Sequence, residues 1–249
     1  MNFGKDFKKY ALSEGLSSMN LHYYQQQIEA SMTPYILEER EMRATQIDIF
    51  SRLMRDRILW VAGVVNDNMS TVVQAQLMYL DSVEKRDITM HIDSPGGSVK
   101  SGLSMIDVMN YISSDIHTIN TGMAASMGSV LLSSGTKGKR SSLPFSKVMT
   151  HQVSHGMQGN IQDTTISHLE GHKYNYMLFK ILAENCGKTF EEMLDSSRRD
   201  KWFNSEEALE FGLIDEVIGQ DKYSMSKLLE GFDDYYKKEV IPSLIKENE

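Results

Sequence analysis

Residues 121–129 of the chain read Thr121-Gly122-Met123-Ala124-Ala125-Ser126-Met127-Gly128-Ser129, a run of small residues around one serine. An apolar-leaning run ends at Asn120, and the helix-like run Val130-Leu131-Leu132 follows. A serine between small residues at a strand-to-helix turn exposes its hydroxyl, and its small neighbours let a substrate backbone come close. The same turn directs the backbone N–H of Met127 at a reacting oxygen. Small residues around a serine also pack strands against helices, so this stretch alone leaves both interpretations open.

Two later stretches contain the partners that a reactive serine requires. A short apolar run begins at Val148 and ends at His151, and Asp200 lies ahead of the next predicted helix. Ser126, His151 and Asp200 could act as nucleophile, general base and orienting acid, because a free serine hydroxyl is a poor nucleophile near neutral pH. Taken singly, the histidine would more often be a surface or core residue, and the aspartate an ordinary acid at a helix N-terminus.

Composition limits the classes of function. The chain has 249 residues, enough for one domain with a small appendage. Its net charge of −8 argues against nucleic acid or an anionic membrane as the main partner. A single cysteine, Cys186, excludes an internal disulfide and fits the reducing cytoplasm, where we expect the protein. The sequence has neither a secretory signal nor a stretch long and apolar enough to span a membrane.

Strand and helix patterns alternate along the first half of the chain. β-Branched and apolar runs predict strands over 57–62 and 88–92, and helices are predicted to start at Asn66-Asp67 and at Ser98. Helical spacing places four apolar residues on one face of the first helix: Met69, Val73, Leu77 and Leu80. This alternation predicts an α/β domain with mainly parallel strands.

Further elements are predicted around this alternation. We expect a short helix over 46–53, a long helix over about 166–185, a capped helix from Ser205 to Gly212 and a last strand over 213–218. The long helix should turn one face inward, carrying Met177, Leu178, Ile181 and Leu182. A basic cluster of Lys137, Lys139 and Arg140 is interpreted as a solvated turn without a catalytic part.

Five motifs resemble those of the Clp protease (ClpP) family, the proteolytic subunits of ATP-dependent Clp-type proteases. They are Ile92-Asp93-Ser94-Pro95-Gly96-Gly97-Ser98, Gly122-Met123-Ala124-Ala125-Ser126-Met127-Gly128, Gly135-Thr136-Lys137-Gly138-Lys139-Arg140, Met149-Thr150-His151-Gln152 and Arg199-Asp200. They occur in the family's order and at its spacing, from about residue 33 to about residue 219. Five ordered motifs are far more specific than any one of them.

The resemblance implies an α/β, ClpP/crotonase-like fold of repeated strand-strand-helix units with a protruding handle helix. It implies a serine endopeptidase in which Ser126 is the nucleophile, His151 its base and Asp200 the residue that fixes the imidazole tautomer. The N–H groups of Gly97 and Met127 would form the oxyanion hole, with glycine at 97 because a side chain there would block the substrate strand. Pro-Gly-Gly is also a common signal for a simple turn.

The resemblance also divides the chain into three parts. Residues 1–31 are a leader or propeptide candidate, with a permanent disordered arm as the alternative. Residues 32–220 would form the peptidase domain, with the handle at about 152–186. Residues 221–249 would be a charged amphipathic tail beyond the usual family core.

The implied partners are copies of the chain itself and an ATPase. We expect a heptameric ring, stacked as two rings, that encloses polypeptide substrates. A Clp-type AAA+ unfoldase would dock on it and use ATP, while the chain itself would need no cofactor and no metal. The alternative is a regulatory or weakly active subunit that assembles with a conventional ClpP paralogue. A crotonase-like enzyme that acts on acyl-CoA is a remote third alternative, because that chemistry needs no Ser-His-Asp set.

Two departures from the family pattern lie at its contact surfaces. Thr89 and His91 replace two tyrosines of the pocket that receives the unfoldase's hydrophobic loop, while Tyr111 keeps an aromatic at a third position of that pocket. Arg198 replaces an acid beside the inter-ring sensor arginine, matched here by Arg199, and two adjacent arginines repel each other. Weaker docking and an altered ring contact are therefore expected, with the triad untouched.

Overall fold

The computed structural model describes residues 35–40, 43–154, 156, 159–219 and 224–241. The predicted leader over 1–31 lies outside these residues, and the three-part division of the chain stays a prediction. Strands β1 (Tyr35–Arg40) and β2 (Arg43–Asp48) form an antiparallel pair that leads into helix α1 (Ile49–Arg55). The prediction of a helix from residue 46 is wrong at its start. β2 runs to Asp48, whose carboxylate caps α1 by accepting from the N–H of Ser51 at 2.9 Å.

The main sheet has seven strands: β3 (Ile58–Ala62), β4 (Ile88–Ser94), β5 (Ile116–Ala125), β6 (Arg140–Ser142), β7 (Lys147–Thr150), β8 (Lys201–Asn204) and β9 (Glu216–Val217). Its main path has the order β3-β4-β5-β6-β9, with every pair parallel. The long strand β5 pairs with β6 through 118–120 and with β7 through 123–125. Among the described strands of this sheet, β8 alone runs antiparallel, beside β7. The predicted α/β class with mainly parallel strands is confirmed.

Helices α2 (Asp67–Val83), α3 (Val99–Tyr111) and α4 (Met127–Ser133) follow strands β3, β4 and β5. The side chain of Asn66 caps α2, and that of Ser98 caps α3, so both predicted starts are confirmed. All four residues of the predicted apolar face of α2 are buried in the core. Burying such side chains contributes about 1.5–3 kcal/mol each, which holds α2 against the sheet.

The second half contains α5 (Ile161–Cys186), α6 (Phe190–Ser196), α7 (Ser205–Phe211), α8 (Met225–Leu228), α9 (Phe232–Tyr235) and a π-helical turn, Tyr236–Val240. Helix α5 starts five residues before the prediction, because Asn160 caps it by accepting from the N–H of Asp163. Its buried residues lie in its last third: Leu178, Phe179, Leu182, Ala183 and Cys186. Met177 is exposed instead, since 100° of rotation per residue places it outside the arc of these side chains.

The interpretation of the basic cluster as a solvated turn is wrong for Arg140, which is buried. The side chain is 1% exposed, and its guanidinium donates to both carboxylate oxygens of Asp215 at 2.7 and 2.5 Å. It also donates to the carbonyl oxygen of Asn185 at 2.9 Å, so it joins β6 to the end of α5. The predicted last strand over 213–218 is shorter in the structure, where only Glu216–Val217 forms β9. Among the described helices, none has the length and apolarity that crossing a membrane requires.

Candidate active site

Ser126 lies at the turn between β5 and α4, as its sequence context predicted. Its backbone has φ 54° and ψ −122°, a region that side-chain-bearing residues rarely adopt. Hydrogen bonds on both sides hold this turn: the N–H of Ser126 donates to the carbonyl of Met149 at 2.9 Å, and its own carbonyl accepts from the N–H of Ser129 at 3.0 Å. The hydroxyl is thereby fixed at the carboxyl end of the sheet by backbone contacts.

Gly96 makes room for this turn. A Cβ atom at position 96 would lie 2.6 Å from the Cβ of Ser126 and 2.7 Å from the carbonyl oxygen of Ala125, and Gly96 has φ +92°. Only glycine fits at such a distance and with that backbone conformation. The sequence motif contains Gly96, but the prediction gave a role only to Gly97; the missing information was which backbone the loop packs against.

His151 follows β7 directly and faces Ser126. The register pairs Ala125 with Met149, which places the residues that follow these two strands side by side. The Nε2 atom of His151 lies 2.8 Å from the Oγ atom of Ser126, a hydrogen-bond distance. The structure therefore brings the predicted nucleophile and the predicted base into contact.

Asp200 precedes β8 and reaches the other nitrogen of the same ring. Lys201 pairs with Thr150 at the end of the antiparallel ladder. The next residues outward, Asp200 and His151, therefore lie opposite each other. The Oδ1 atom of Asp200 lies 3.4 Å from Nδ1 of His151, longer than a hydrogen bond, and the carboxylate is 64% exposed. Asp200 was also considered as an N-terminal helix acid; that interpretation is wrong, because a strand and not a helix follows it.

The two predicted oxyanion donors line one pocket together with Ser126 and His151. Neither the N–H of Met127 nor that of Gly97 makes a hydrogen bond within the described part of the chain. The hydrogen bonds of the two residues next to Gly97 explain where its N–H group points. The carbonyl of Gly96 and the N–H of Ser98 both bond to Val65, so the N–H of Gly97 points away from Val65.

The predicted reason for glycine at position 97 is wrong. A Cβ atom there would lie 2.3 Å from the carbonyl oxygen of Val65 and 2.9 Å from its nitrogen, so it would meet the protein's own backbone. Gly97 also has φ +148°, at the edge of the region that favours glycine. Close packing of the loop against Val65 requires glycine, independently of any substrate.

The lining of the same pocket is part polar and part apolar. Its apolar members come mostly from α4 and α5: Met127, Val130, Leu178, Phe179 and Leu182. The Oδ1 atom of Asn175 accepts from the N–H of Val153 at 2.9 Å and so fixes the segment that follows His151. The sequence analysis missed Asn175, because a lone polar residue in a long helix gives no signal of this contact.

The predicted docking residues lie away from the triad. Thr89 and His91 lie half-buried on one side of β4, and Tyr111 is 79% exposed at the end of α3. The sequence analysis missed Trp60, whose ring stacks on His91 at 4.7 Å between centroids and 14° between planes. Burial and the nearby His117 lower the pKa of His91, which favours its neutral form. The predicted docking surface therefore retains stacked ring area, although Thr89 and His91 stand where the family pattern has tyrosines.

The two arginines before Asp200 are both exposed. The Nη2 atom of Arg198 lies 2.7 Å from Oδ1 of Asp195, one turn earlier in α6. This carboxylate offsets part of the expected repulsion between Arg198 and Arg199, although exposed pairs of this kind contribute little stability. The inter-ring role of Arg199 stays a prediction.

Comparison with known proteins agrees with the fold. The family model for Clp protease matches residues 39–221. The chain is 48% identical over 215 residues to the ATP-dependent Clp protease proteolytic subunit of Bacteroides fragilis (strain YCH46), an alignment that covers 86% of this chain and 98% of the relative. It is 44% identical over 219 residues to the protein of the same name from Porphyromonas gingivalis, covering 87% and 99%. The corresponding Streptococcus pyogenes protein (serotype M5) is 44% identical over 190 residues, covering 75% and 97%. The chain belongs to the Clp protease family.

Proposed function

We propose that this chain is a serine endopeptidase subunit in which Ser126, His151 and Asp200 hydrolyse peptide bonds. The observation that carries the proposal is the 2.8 Å contact between Oγ of Ser126 and Nε2 of His151, at a turn whose backbone is held in a rarely adopted conformation. A base at hydrogen-bond distance is the requirement for activating a serine hydroxyl. The peptidase activity of the family and the position of these groups therefore support one mechanism.

In this mechanism His151 accepts the proton of Ser126 while Oγ attacks the carbonyl carbon of the substrate. The N–H groups of Gly97 and Met127 donate to the oxygen that becomes negatively charged. His151 then gives its proton to the leaving amine, and an acyl-enzyme remains on Ser126. Water, deprotonated by His151, attacks the ester carbon; His151 then returns the proton to Oγ of Ser126 as this oxygen leaves, and the acid product is released.

Asp200 stabilises the imidazolium that forms in this cycle and fixes the tautomer of His151. Its 3.4 Å distance fits a free enzyme, in which catalytic contacts are often long and shorten when substrate binds. The β7–β8 pairing, which brings Asp200 within 3.4 Å of Nδ1, supports this role.

The proposal includes assembly into a heptameric ring, with two rings stacked, and docking of a Clp-type AAA+ unfoldase that uses ATP. The first two thirds of α5 support it, since they carry exposed apolar side chains that one subunit leaves uncovered: Ile161, Ile166, Leu169, Tyr176 and Met177. The substrates would be unfolded polypeptides, the location the cytoplasm, and the chain itself would need no cofactor. Nucleic acid and membranes are not part of this proposal.

The second candidate is a weakly active or regulatory subunit in a ring shared with a conventional paralogue. Thr89 and His91 in the docking pocket favour it, and so does Arg198 beside Arg199. The contact between Ser126 and His151 favours the first candidate.

A labelled fluorophosphonate distinguishes the two candidates on the purified chain. We expect the label on Ser126 and a native mass of seven or fourteen chains. The His151→Ala variant should label at least about a hundredfold more slowly, because it lacks the base. Equal labelling of this variant, or an unlabelled wild-type chain of ring mass, would contradict the peptidase proposal. A labelled wild-type monomer would contradict the ring alone.

The docking surface gives a separate prediction. The double variant Thr89→Tyr with His91→Tyr should degrade a folded substrate faster with a Clp-type unfoldase, while cleavage of small peptides stays unchanged. Each added aromatic contact contributes about 0.5–1.5 kcal/mol, so two of them should raise the affinity for one docking loop by about 5- to 150-fold. Thr89→Val, which adds apolar surface without a ring, serves as the control. If the wild-type chain already matches the double variant, Trp60 and His91 suffice for docking and the prediction is wrong.

A further inference from the structure

A three-residue loop carries the acid of the candidate site. Residues 198–200, the acid loop, connect Ser197, the C-cap of α6, to Lys201, the first residue of β8. The carboxylate of Asp200 accepts no hydrogen bond from the described part of the chain, and its contact with Nδ1 of His151 is 3.4 Å long. The position of this carboxylate therefore depends on how the backbone of the acid loop is held.

Both ends of the acid loop are held by one residue, Thr150, which ends β7. At the first end, Oγ1 of Thr150 lies 2.8 Å from Oγ of Ser197, and both side chains are buried. At the other end, Thr150 pairs with Lys201 in the antiparallel ladder. Because His151 follows Thr150 directly in the chain, this one residue connects the base with both ends of the loop that carries the acid.

The two hydroxyls depend on each other for their hydrogen bond. Other neighbours of the Ser197 hydroxyl are farther away: Oγ of Ser196 at 3.4 Å and Sδ of Met193 at 4.0 Å. A buried hydroxyl that loses its partner loses the hydrogen bonds it would make to water, so the pair resists separation. Ser197 is itself fixed to α6, because its N–H donates to the carbonyl of the buried Met193 at 3.2 Å. The pair therefore joins the strand of the base to a fixed helix end.

We propose that the hydroxyl pair of Thr150 and Ser197 positions Asp200 against His151, so that both are positioning residues of the peptidase reaction. This inference rests on the proposed function, since the place of the acid matters only if the reaction forms an imidazolium on His151. Neither hydroxyl belongs to the lining of the pocket that contains Ser126. Loss of the pair releases the first end of the acid loop while the ladder still holds the second, and the acid is displaced from Nδ1.

The first test measures kcat and KM of the full-length chain on a small fluorogenic peptide. Thr150→Val keeps the shape of the side chain and removes its hydroxyl. Its kcat should fall about ten- to a hundredfold, with KM changed less than about twofold, because a reacting group is displaced and the pocket is retained. Thr150→Ser keeps the hydroxyl and should stay within about threefold of wild-type kcat.

Thr118→Val is the matched control. It removes another buried threonine hydroxyl of the main sheet, one that donates to the carbonyl of Leu132 at 2.7 Å, away from the acid loop. Its kcat should stay within about twofold of wild type. Equal losses in Thr118→Val and Thr150→Val would assign the effect to a general loosening of the sheet and overturn the proposal.

A double-mutant cycle separates positioning from a merely structural role. Asp200→Ala alone should lower kcat at least about a hundredfold. Adding Thr150→Val to it should change kcat by less than about twofold, because no carboxylate remains to be positioned. An equal loss from Thr150→Val in both backgrounds would overturn the proposal, as would full activity of Thr150→Val alone.

Ser197→Ala removes the same hydrogen bond from the other side. It should show the same loss of kcat and the same dependence on Asp200, and it decides the question if urea unfolding shows that Thr150→Val does not fold. A wild-type chain that cleaves no peptide would contradict the proposed function and this inference with it. An active wild type with a fully active Asp200→Ala variant would overturn the positioning role and leave Ser126 and His151 in place.

Discussion

The Ser126→Ala variant should lose roughly 10⁴–10⁶-fold in kcat/KM on a small fluorogenic peptide while keeping its fold and its assembly. Removing one member of a Ser-His-Asp set costs several orders of magnitude, because the remaining groups cannot form the acyl-enzyme. The backbone of the turn is held by the N–H and carbonyl of residue 126, and alanine retains both. Steady-state kinetics measures the loss, and sedimentation checks the assembly.

Ser129 offers a matched control at the same turn. Its hydroxyl donates to the carbonyl of Ser126 at 2.7 Å, and its N–H donates to the same carbonyl at 3.0 Å. Ser129→Ala therefore removes one of two bonds to that carbonyl and should cost less than about tenfold in kcat/KM, on the order of 1 kcal/mol. If Ser126→Ala and Ser129→Ala lower activity equally, the loss comes from a disturbed turn and Ser126 is not the nucleophile.

The Arg140→Leu variant should lower the free energy of unfolding by about 3–5 kcal/mol. It leaves the carboxylate of Asp215, which is 15% exposed, without the guanidinium that donates to both of its oxygens. Urea unfolding at one fixed protein concentration measures the change, because assembly also stabilises the folded chain. The double variant Arg140→Leu with Asp215→Leu should recover most of the loss, since no buried charge remains. A single variant that costs less than about 1 kcal/mol would contradict the structural role.

Acid should weaken the same contact. Burial alone would raise the pKa of Asp215, but hydrogen bonds and charge attraction from Arg140 outweigh it and lower that pKa to about 2. An unfolded aspartate has a pKa of about 3.9, so this pair contributes its full stability above that pH and loses it between about pH 4 and pH 2. Asp215→Asn should remove this part of the pH dependence of unfolding. An unchanged acid transition in Asp215→Asn would assign it to other carboxylates.

Periodicity and capping predicted the first half of the fold well. The buried face of α2 and the caps at Asn66 and Ser98 follow from local spacing, which sequence displays directly. β8 was missed as a strand because four residues give too short a pattern, and its pairing with β7 comes from residues over fifty positions away. The burial of Arg140 was missed for a related reason: a charged side chain indicates solvent until its distant partner is known.

The candidate site was predictable in its residues but not in its shape. The motifs indicated Ser126, His151 and Asp200, whereas the distances between them depend on strand register, which short motifs do not contain. The close approach of Gly96 to Ser126 and of Gly97 to Val65 are contacts between separate loops. The stack of Trp60 on His91 likewise depends on the pairing of β3 with β4.

The pairing of Thr150 with Lys201 has a consequence for how activity is lost. His151 and Asp200 adjoin this one pair of the β7–β8 ladder, and the neighbouring Met149 accepts the hydrogen bond from the N–H of Ser126. Opening four residues of ladder would therefore separate nucleophile, base and acid in a single cooperative step, and it would also separate the paired core residues Val148 and Phe203. Catalysis should behave as an all-or-none property of this ladder, and amide hydrogen exchange along Lys147–Thr150 would report the fraction of competent sites.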